Sequence, residues 1–315
     1  MAAAVSSTAL PSARLLSLER LLQSQAAKTA LVRRPACVIL GGKLPKDAPR
    51  ILSACGRIVA ADSGAGRLYA LDTPSPILPE AIVGDLDSIT PATRAHYAAL
   101  DVEIMDLGHD QETTDMQKAL ELLLQGEEKG SRGADGKDQL GDRSETMGNG
   151  SVVGGCERAT PVRLEVGALE PDGAREIYRE SDGRPTIILL GSLDGRVDHT
   201  LQNINMCLRY EKRARLLLVS DESVCEVVPA GPTVLEIDRA CEGDTCGLLP
   251  LGSDVQVRRT EGLVYPCSGL TLAWGGLLST SNKVAPNVAE VVIDAAQPLF
   301  WVLTRHGEAS EGPAL

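Results

Sequence analysis

Short apolar runs alternate with polar and amphipathic stretches along the chain from about residue 36 onward. Runs of this kind, bounded by Gly, Pro or Asp, are typical of the buried strands of a parallel sheet. They predict strands at 37–40, 57–61, 81–83, 102–107, 186–190 and 215–219. The stretches between them predict helices at 67–71, 91–100, 116–124 and 197–208. Strands that alternate with helices in this way predict a mainly parallel sheet with helices on both faces.

The helix that follows the fourth strand has the best-marked beginning. Its apolar residues recur at the spacing of one helix face, and they are Met116, Ala119, Leu120, Leu123 and Leu124. Thr114 followed by Gln117 fits a capping box, which places Asp115 in the first turn, where the helix dipole favours negative charge. The apolar residues of the last predicted helix also trace one stripe, formed by Val197, Leu201, Ile204 and Leu208.

The helical pattern ends near residue 223. The rest of the chain carries short strand candidates, separated by Gly and Pro, at 224–228, 233–237, 245–250, 255–260, 263–265, 270–273, 290–293 and 300–304. Several short strands at close spacing predict a β-sandwich or barrel. We therefore predict an α/β domain at 35–222 and an all-β sandwich domain at 223–308, with tails at 1–34 and 309–315.

Two segments depart from this organisation. Residues 126–184 are rich in Gly, Ser and charged residues and have no period, so we predict a mostly disordered insertion with no catalytic role. The tail 1–34 is rich in Ala, Ser and Leu with an excess of basic residues, which fits an organellar transit peptide. The interpretation we favour for it is a disordered tail that includes a surface helix from Leu15 to Ala27.

Composition narrows the class of protein. The formal net charge of -12 argues against a general nucleic-acid binder, which requires a basic face. Aromatic residues make up only 3% of the chain, so Leu, Val, Ile and Ala must build the core. The eight cysteines contain no CxxC pair, which favours reduced thiols and a cytoplasmic location. Without an apolar run of about 18 residues, we expect no membrane span.

Aspartates follow three of the predicted strands. Asp62 comes after the second strand, Asp85 and Asp87 come after the third, and Asp115 opens the helix after the fourth. Ligands of open α/β sheets bind beyond the carboxyl ends of the strands, so all four aspartates are predicted to face one crevice. Alternate residues of an extended chain point the same way, which predicts that Asp85 and Asp87 converge.

Carboxylates held close together repel one another unless a proton, a cationic side chain or a metal offsets the charge. Mg²⁺ is the usual partner when phosphates are also bound. The alternative for each aspartate is an acidic, solvated turn or a helix cap. Their joint occurrence beside the turn Asp62-Ser63-Gly64-Ala65-Gly66 favours a site. That turn lacks the GxGxxG spacing of a dinucleotide site, but its small residues let backbone N–H groups approach phosphate or ribose.

Two further polar groups are candidates for ligand binding. Arg196 and Asn203 share one helix face with His199, and an arginine at a helix start beside a glycine turn suits phosphate. Asp198 has the alternative role of complementing the dipole of that helix. The run from Ser279 to Asn282 offers hydroxyls and an amide to a polar ligand, although a plain turn is the default interpretation for it alone.

Taken in order, these motifs resemble those of the thiamine pyrophosphokinase family. The matching stretches are Asp62-Ser63-Gly64-Ala65, Gly84-Asp85-Leu86-Asp87-Ser88, Asp110-Gln111-x-x-Thr114-Asp115, Gly195-Arg196-x-Asp198-His199 with Asn203, and Ser279-Thr280-Ser281-Asn282. The resemblance covers about residues 36–125 and 186–305. It implies an α/β catalytic domain, a β-sandwich that binds thiamine, and a homodimer with active sites between the subunits. It also implies transfer of pyrophosphate from ATP to the hydroxyethyl group of thiamine, which gives thiamine diphosphate and AMP.

The resemblance also implies a role for each matching residue. Asp62, Asp85, Asp87 and Asp115 would hold Mg²⁺ and the ATP phosphates, with Asp85, Asp87, Asp115 and Arg196 as the catalytic set. Arg196 and Asp198 would complete the nucleotide side, Gln111, Ser279 and Asn282 would contact thiamine, and Ser63, Gly64, Thr114 and Asn203 would be further ligand-binding residues. Animal members of the family carry Trp near the position of Tyr265, and the tyrosine keeps a π face for the thiazolium cation.

Two other functions use the same residues. A metal-dependent phosphoesterase would activate water with the aspartates, but such enzymes usually add metal-binding histidines. The chain has only four histidines, and they are scattered. A non-catalytic nucleotide or thiamine sensor would be expected to have lost one acidic ligand, and none is missing from the motifs.

Overall fold

The computed structural model of the chain describes residues 13–23, 34–73, 75–131 and 182–306. Most of the predicted insertion and the tail 309–315 lie outside these ranges. The helices are α1 (Leu18–Gln23), α2 (Ala48–Ala54), α3 (Gly64–Tyr69), α4 (Pro91–Ala98), α5 (Asp115–Ser131) and α6 (Val197–Tyr210). The strands are β1 (Ala13–Leu15), β2 (Ala36–Ile39), β3 (Arg57–Ala61), β4 (Ala81–Gly84), β5 (Glu103–Asp106), β6 (Thr186–Leu190), β7 (Arg215–Val219), β8 (Ser223–Val228), β9 (Gly231–Glu236), β10 (Glu242–Pro250), β11 (Val255–Glu261), β12 (Thr271–Leu272), β13 (Ser279–Lys283), β14 (Glu290–Ala295) and β15 (Leu299–Arg305).

One ten-stranded sheet runs through both halves of the chain, in the order β13-β10-β15-β8-β7-β6-β2-β3-β4-β5. Strands β2 to β7 pair in parallel with their neighbours, and β8 joins β7 in the antiparallel direction. The strand order reverses between β6 and β2, which is the kind of switch point where open α/β sheets bind ligands. The predicted fold class, an α/β half with a mainly parallel sheet followed by a β-rich half, is confirmed.

Helices cover both faces of the parallel strands because these strands are apolar on both sides. In β2, Cys37 and Ile39 pack into the core on the side of α2, α3 and α4, whereas Val38 packs on the side of α5 and α6. This alternation is the two-residue period of an extended strand. The stripe of apolar residues predicted for α5 is buried, with Leu120 and Leu123 both at 0% exposure.

The β-rich half is a sandwich that shares its core with the α/β half. Its second sheet has the order β1-β9-β14-β11-β12. Leu248 and Trp301 of the large sheet lie in the same buried cluster as Val257 and Ile293 of the second sheet. That cluster also contains Ile39, so the core under the helices continues without a break between the two sheets.

The strand predictions differ from the structure at two places in the sandwich. The predicted strand 263–265 contributes only an isolated bridge between Leu263 and Val284. Conversely, Ser279–Lys283 forms β13, an edge strand antiparallel to β10. The strand was not predicted because a run of polar residues lacks the apolar alternation that marks a strand. It forms because the edge of β10 is available for pairing.

The N-terminal segment is more ordered than the favoured prediction of a disordered tail. Strand β1 pairs in parallel with β9, and α1 buries Leu18, Leu21 and Leu22. The helix predicted from Leu15 to Ala27 therefore begins at Leu18, and it is buried rather than at the surface where the structure describes it; residues 24–27 lie outside the described residues. Glu19 accepts a hydrogen bond from Arg50 at 2.8 Å, which ties α1 to α2. Helix α2 itself was not predicted.

The apolar stripe predicted for α6 is not its buried face. Val197 and Leu201 are 73% and 58% exposed, whereas Met206, Cys207 and Tyr210 are buried. Helix α6 packs against β7 and β8, and its buried residues lie in its last two turns, with Ile204 of the predicted stripe partly buried against the same core. Within the described residues, no helix is long and apolar enough to cross a membrane.

Candidate active site

Three of the four predicted aspartates converge at the carboxyl ends of the parallel strands. Asp62 follows β3, Asp85 follows β4, and Asp115 is the first residue of α5. Each offers a carboxylate oxygen, and these oxygens lie within 4.8 Å of one another. We call this group the acidic cluster. Its spacing suits a divalent cation, because carboxylate oxygens are the ligands that hard cations prefer.

The backbone of the acidic cluster is shaped by unusual torsions. Asp62 takes a φ of 39°, and Gly84 takes a φ of 153°. A Cβ atom at Gly84 would lie 2.9 Å from Asp62 Cβ and 3.0 Å from Asp115 Oδ1, so only glycine fits between these two side chains. The backbone N–H of Asp85 donates to Asp115 Oδ1 at 3.3 Å, which ties the end of β4 to the start of α5.

Burial disfavours the fully ionised form of the acidic cluster. Burial raises the pKa of Asp62, and the nearby Asp115 carboxylate raises it further. Burial also raises the pKa of Asp115, where Lys118 opposes the shift and Asp85 adds to it. Lys118 Nζ donates to Asp115 Oδ1 at 3.3 Å, and its side chain is only 2% exposed. A cation bound by the cluster would relieve the remaining repulsion.

Sequence reasoning missed Lys118. The spacing could have indicated its contact with Asp115, because a residue three positions after Asp115 lies on the same side of α5. The lysine lies at the edge of the apolar stripe of α5, and a charged residue at such a position is ordinarily expected to be exposed.

Asp87 lies outside the acidic cluster in the described residues. Strand β4 ends at Gly84, and Leu86 is buried with a left-handed φ of 59°, so the chain turns between Asp85 and Asp87. The premise that the two carboxylates converge as alternate residues of a strand therefore does not hold. Asp87 is exposed and accepts a hydrogen bond from Ser88 Oγ at 2.7 Å.

Glycines line the strand ends on either side of the switch point. Gly42 N donates to Gly191 O at 3.1 Å, which joins the loops after β2 and β6. A Cβ atom at Gly64 would lie 2.0 Å from Ile39 O, so the turn predicted at 62–66 sits directly on the end of β2. Ser63, at the N-cap of α3, is half-buried beside Gly41. The close approach of backbones at Gly42 and Gly191 was not predicted.

The loop before α5 presents two of the predicted residues. Gln111 is exposed and donates from Nε2 to Gly108 O at 2.7 Å. Thr114 Oγ1 accepts a hydrogen bond from Gln117 N at 3.2 Å, which is the first half of the predicted capping box. The side chain of Gln117 accepts instead from Arg209 of α6 at 3.4 Å.

The start of α6 carries an exposed ion pair. Arg196 is the N-cap residue, and its guanidinium donates to both carboxylate oxygens of Asp198. This contact lowers the pKa of Asp198. Asn203 donates from Nδ2 to Ser192 O at 2.8 Å, which ties α6 to the glycine-lined loop after β6. Arg196 and Asp198 therefore stand at the surface, while Asn203 has a structural hydrogen bond.

The three predicted residues of the β half lie together around β13. Tyr265 is 60% exposed in the loop that follows β11, and Ser279 is half-buried at the start of β13. Asn282 is 2% exposed and donates to both Tyr265 O and Ser279 Oγ. The structure thus joins Tyr265 to the polar run 279–282.

Fold and site together define an α/β protein that carries an acidic cluster beside glycine-lined turns at the carboxyl ends of its parallel strands, extended by a β-sandwich. Two family models match it in the same order. The model described as thiamin pyrophosphokinase, catalytic domain, matches residues 48–142, and the model described as thiamin pyrophosphokinase, vitamin B1 binding domain, matches residues 233–300. Together they span just over half of the chain.

Named relatives agree with the family models. Thiamine pyrophosphokinase 1 of Oryza sativa subsp. japonica is 28% identical over 283 residues, covering 85% of this chain and 86% of the relative. Thiamine pyrophosphokinase 1 of Arabidopsis thaliana is 26% identical over 289 residues, covering 88% of each chain. The solved structure of thiamin pyrophosphokinase from Candida albicans has the same fold, with a TM-score of 0.68 at 17% identity over 93% of both chains. The chain belongs to the thiamine pyrophosphokinase family.

Proposed function

We propose that this protein is an ATP-dependent thiamine diphosphokinase. It transfers the pyrophosphoryl group of ATP to the hydroxyethyl group of thiamine and releases thiamine diphosphate and AMP. The observation that carries the proposal is the convergence of Asp62, Asp85 and Asp115 in a chain that matches both a catalytic and a vitamin B1 binding domain of one family.

The acidic cluster fits Mg²⁺, because its donors are carboxylate oxygens within 4.8 Å of one another. When bound there, the ion would neutralise phosphate charge that develops during the transfer. The backbone N–H of Asp87 donates to Asp85 Oδ1 at 3.4 Å, and we propose that the exposed Asp87 carboxylate helps to hold the ion or the phosphates. Lys118 holds Asp115 in place and offsets part of the cluster's charge.

The glycine-lined strand ends provide the nucleotide side of the crevice. Ser63 and Gly64 would meet the phosphates through their backbone N–H groups, because small residues in this turn allow a close approach. Arg196 at the start of α6 supplies a cation to the phosphates after exchanging its partner Asp198 for the nucleotide. Thr114 fixes the first turn of α5 and with it the position of Asp115.

The chemistry requires alignment and charge neutralisation more than covalent catalysis. The thiamine hydroxyl oxygen attacks the β-phosphorus, the bond from that phosphorus to the α-phosphate oxygen breaks, and AMP leaves. The hydroxyl proton passes to a carboxylate of the acidic loops.

Thiamine is held by residues from both halves of the chain. Gln111 lies in the loop that leads into the acidic cluster, and the exposed ring of Tyr265 offers a π face to the thiazolium cation. Ser279 adds a hydroxyl beside Tyr265. We further propose a homodimer in which these two groups of residues meet across the subunit interface. The cytoplasmic location remains a prediction from the cysteine pattern.

One assay tests the proposal. The protein is incubated with ATP, Mg²⁺ and thiamine, and AMP and thiamine diphosphate are measured by chromatography. We expect the two products in equal amounts, and none without thiamine or with EDTA. Release of phosphate without thiamine consumption would identify a phosphoesterase instead. Binding of both ligands without any product would identify a sensor.

Subunit sharing has its own test. The variant Asp85→Asn is mixed with the double variant Tyr265→Ala/Ser279→Ala under conditions of demonstrated subunit exchange. Partial recovery of activity is expected if each site draws on two chains. No recovery would place the whole site within one chain.

A further inference from the structure

Asn282 is buried where a ligand-contacting residue would be exposed. The resemblance implies that it faces thiamine, but its side chain lies under the loop 263–268 and is only 2% exposed. It belongs to the edge strand β13, whose neighbouring residues Ser281 and Lys283 are exposed. The orientation of Asn282 therefore calls for a role other than direct contact.

The hydrogen-bonding capacity of the Asn282 side chain is used within the protein. Its Oδ1 accepts from Lys283 N at 2.7 Å and from Tyr265 N at 3.3 Å. Its Nδ2 donates to Tyr265 O at 2.8 Å and to Ser279 Oγ at 3.1 Å. A side-chain amide has two acceptor lone pairs and two donor hydrogens, so these four contacts use its capacity, and Nδ2 also lies 3.7 Å from Cys267 Sγ.

Two of these contacts fix the backbone position of Tyr265. The amide pairs with both the N–H and the C=O of Tyr265, as one rung of a β-ladder would. The ends of the loop are also anchored, by the bridge between Leu263 and Val284 and by the hydrogen bond from Cys267 N to Thr260 Oγ1 at 2.9 Å. Asn282 therefore fixes the middle of the loop, from which the exposed tyrosine ring projects.

The remaining contact determines whether the Ser279 hydroxyl donates or accepts toward a ligand. Its hydroxyl oxygen accepts from Asn282 Nδ2 and also from Cys267 Sγ at 3.4 Å. A hydroxyl that accepts from the Asn282 amide directs its single hydrogen away from that amide, where a ligand can accept it. Such a donor complements an aromatic ring nitrogen, which the pyrimidine of thiamine has, and it does not complement an amino group.

We propose that Asn282 is a positioning residue that does not touch thiamine. It presents the ring of Tyr265 to the ligand and turns the Ser279 hydroxyl into an outward donor, with Cys267 completing the arrangement. This inference rests on the proposed function, because thiamine is the ligand that Tyr265 and Ser279 are taken to contact.

The isosteric variant Asn282→Asp gives the sharpest test. It replaces the donor Nδ2 by a carboxylate oxygen, so the contact with Tyr265 O becomes repulsive and the Ser279 hydroxyl turns its hydrogen inward to the carboxylate. We expect the KM for thiamine to rise about 10-fold or more, the scale of a lost buried hydrogen bond. The kcat should change less, because the acidic cluster is untouched. If Asn282 instead met the thiamine amino group through Oδ1, the carboxylate of this variant would serve a cationic ligand at least as well, and an unchanged or lower KM would overturn the proposal.

A double-variant comparison separates indirect from direct action. In the background Tyr265→Ala/Ser279→Ala, we expect Asn282→Ala to raise the thiamine KM little further, because the groups it positions are gone. Additive costs would mean an independent contact with the ligand and would refute the inference. Thr280→Ala, an exposed change on the same strand, is the matched control and should leave KM unchanged.

Hydrogen exchange of the ligand-free protein tests the same arrangement without any reaction. Asn282→Ala should speed exchange of the backbone amides at 264–268, whereas Thr280→Ala should not. Unchanged exchange in Asn282→Ala would overturn the proposal even in an active enzyme. A parent protein that makes no thiamine diphosphate, yet loses protection at 264–268 in the variant, would show that the proposed function has failed while the loop contact stands.

Discussion

The substitution Asp62→Asn tests the acidic cluster most directly, because it removes one buried charge and keeps the side-chain shape. The amide oxygen of the variant can still accept the weak hydrogen bond from Ser88 N, which lies 3.4 Å from Asp62 Oδ1. Unlike Asp115, Asp62 has no lysine partner among its described contacts, so the change leaves no buried cation unpaired. Its effects on stability and on activity should have opposite signs.

Stability of the metal-free protein should rise at neutral pH. The pKa of Asp62 is raised in the folded state, so the folded protein binds this proton more tightly than the unfolded chain does. The charged form therefore destabilises the fold above the raised pKa, by about 1.4 kcal/mol for each pKa unit of elevation. Asp62→Asn removes that cost at pH 7, and the gain should disappear as the pH falls below the ordinary aspartate range, where the parent carboxyl is protonated in both states.

Turnover should fall at least about 10²-fold, the loss seen when one stabilising group leaves a transition-state site. The measurements are AMP release and thermal unfolding, each with and without Mg²⁺ and ATP. Asp101→Asn is the matched control, because Asp101 is exposed and has a left-handed φ of 56° that asparagine tolerates. If Asp62→Asn kept near-parent turnover and the parent's stabilisation by Mg²⁺-ATP, the acidic cluster would not be the metal site.

Three further predictions concern Gly84, Glu242 and the segment 132–181. Gly84→Ala should destabilise the fold by about 2 kcal/mol or more and abolish AMP release, because the new methyl group presses on Asp62 and Asp115; a stable, active variant would contradict the close approach. Burial raises the pKa of Glu242 to about 7, so the free energy of unfolding of the parent should fall as the pH rises from about 4.5 to 7, by on the order of 3 kcal/mol. The variant Glu242→Gln should lack this pH dependence in denaturant unfolding. Equal pH dependence in parent and variant would show that Glu242 ionises normally. Replacing residues 132–181 by a short Gly/Ser linker should change turnover only a few-fold, since the composition of this segment indicates no catalytic part; a complete loss in a folded variant would assign the segment to the site.

The sequence by itself determined the parts of the protein that depend on local pattern. The parallel strands are short apolar runs buried on both faces, and β3, β6 and β7 have the predicted ends because such runs stop at polar or glycine residues. Helix α5 was predicted because its stripe and its threonine cap are both local signals. The order of the motifs along the chain was also sufficient to identify the family, since each motif marks the end of a predicted element.

Tertiary structure decided which side chains meet and which are buried. Asp85 joins the acidic cluster and Asp87 does not, because β4 ends one residue before the pair and Leu86 turns the chain inward. In the same way, Val197 and Leu201 are exposed because only the last turns of α6 reach the sheet. Asn282 is buried because β13 pairs with the edge of β10 and the Tyr265 loop folds over it. Contacts between residues distant in sequence depend on how sheets and loops pack, and no local period in the sequence encodes them.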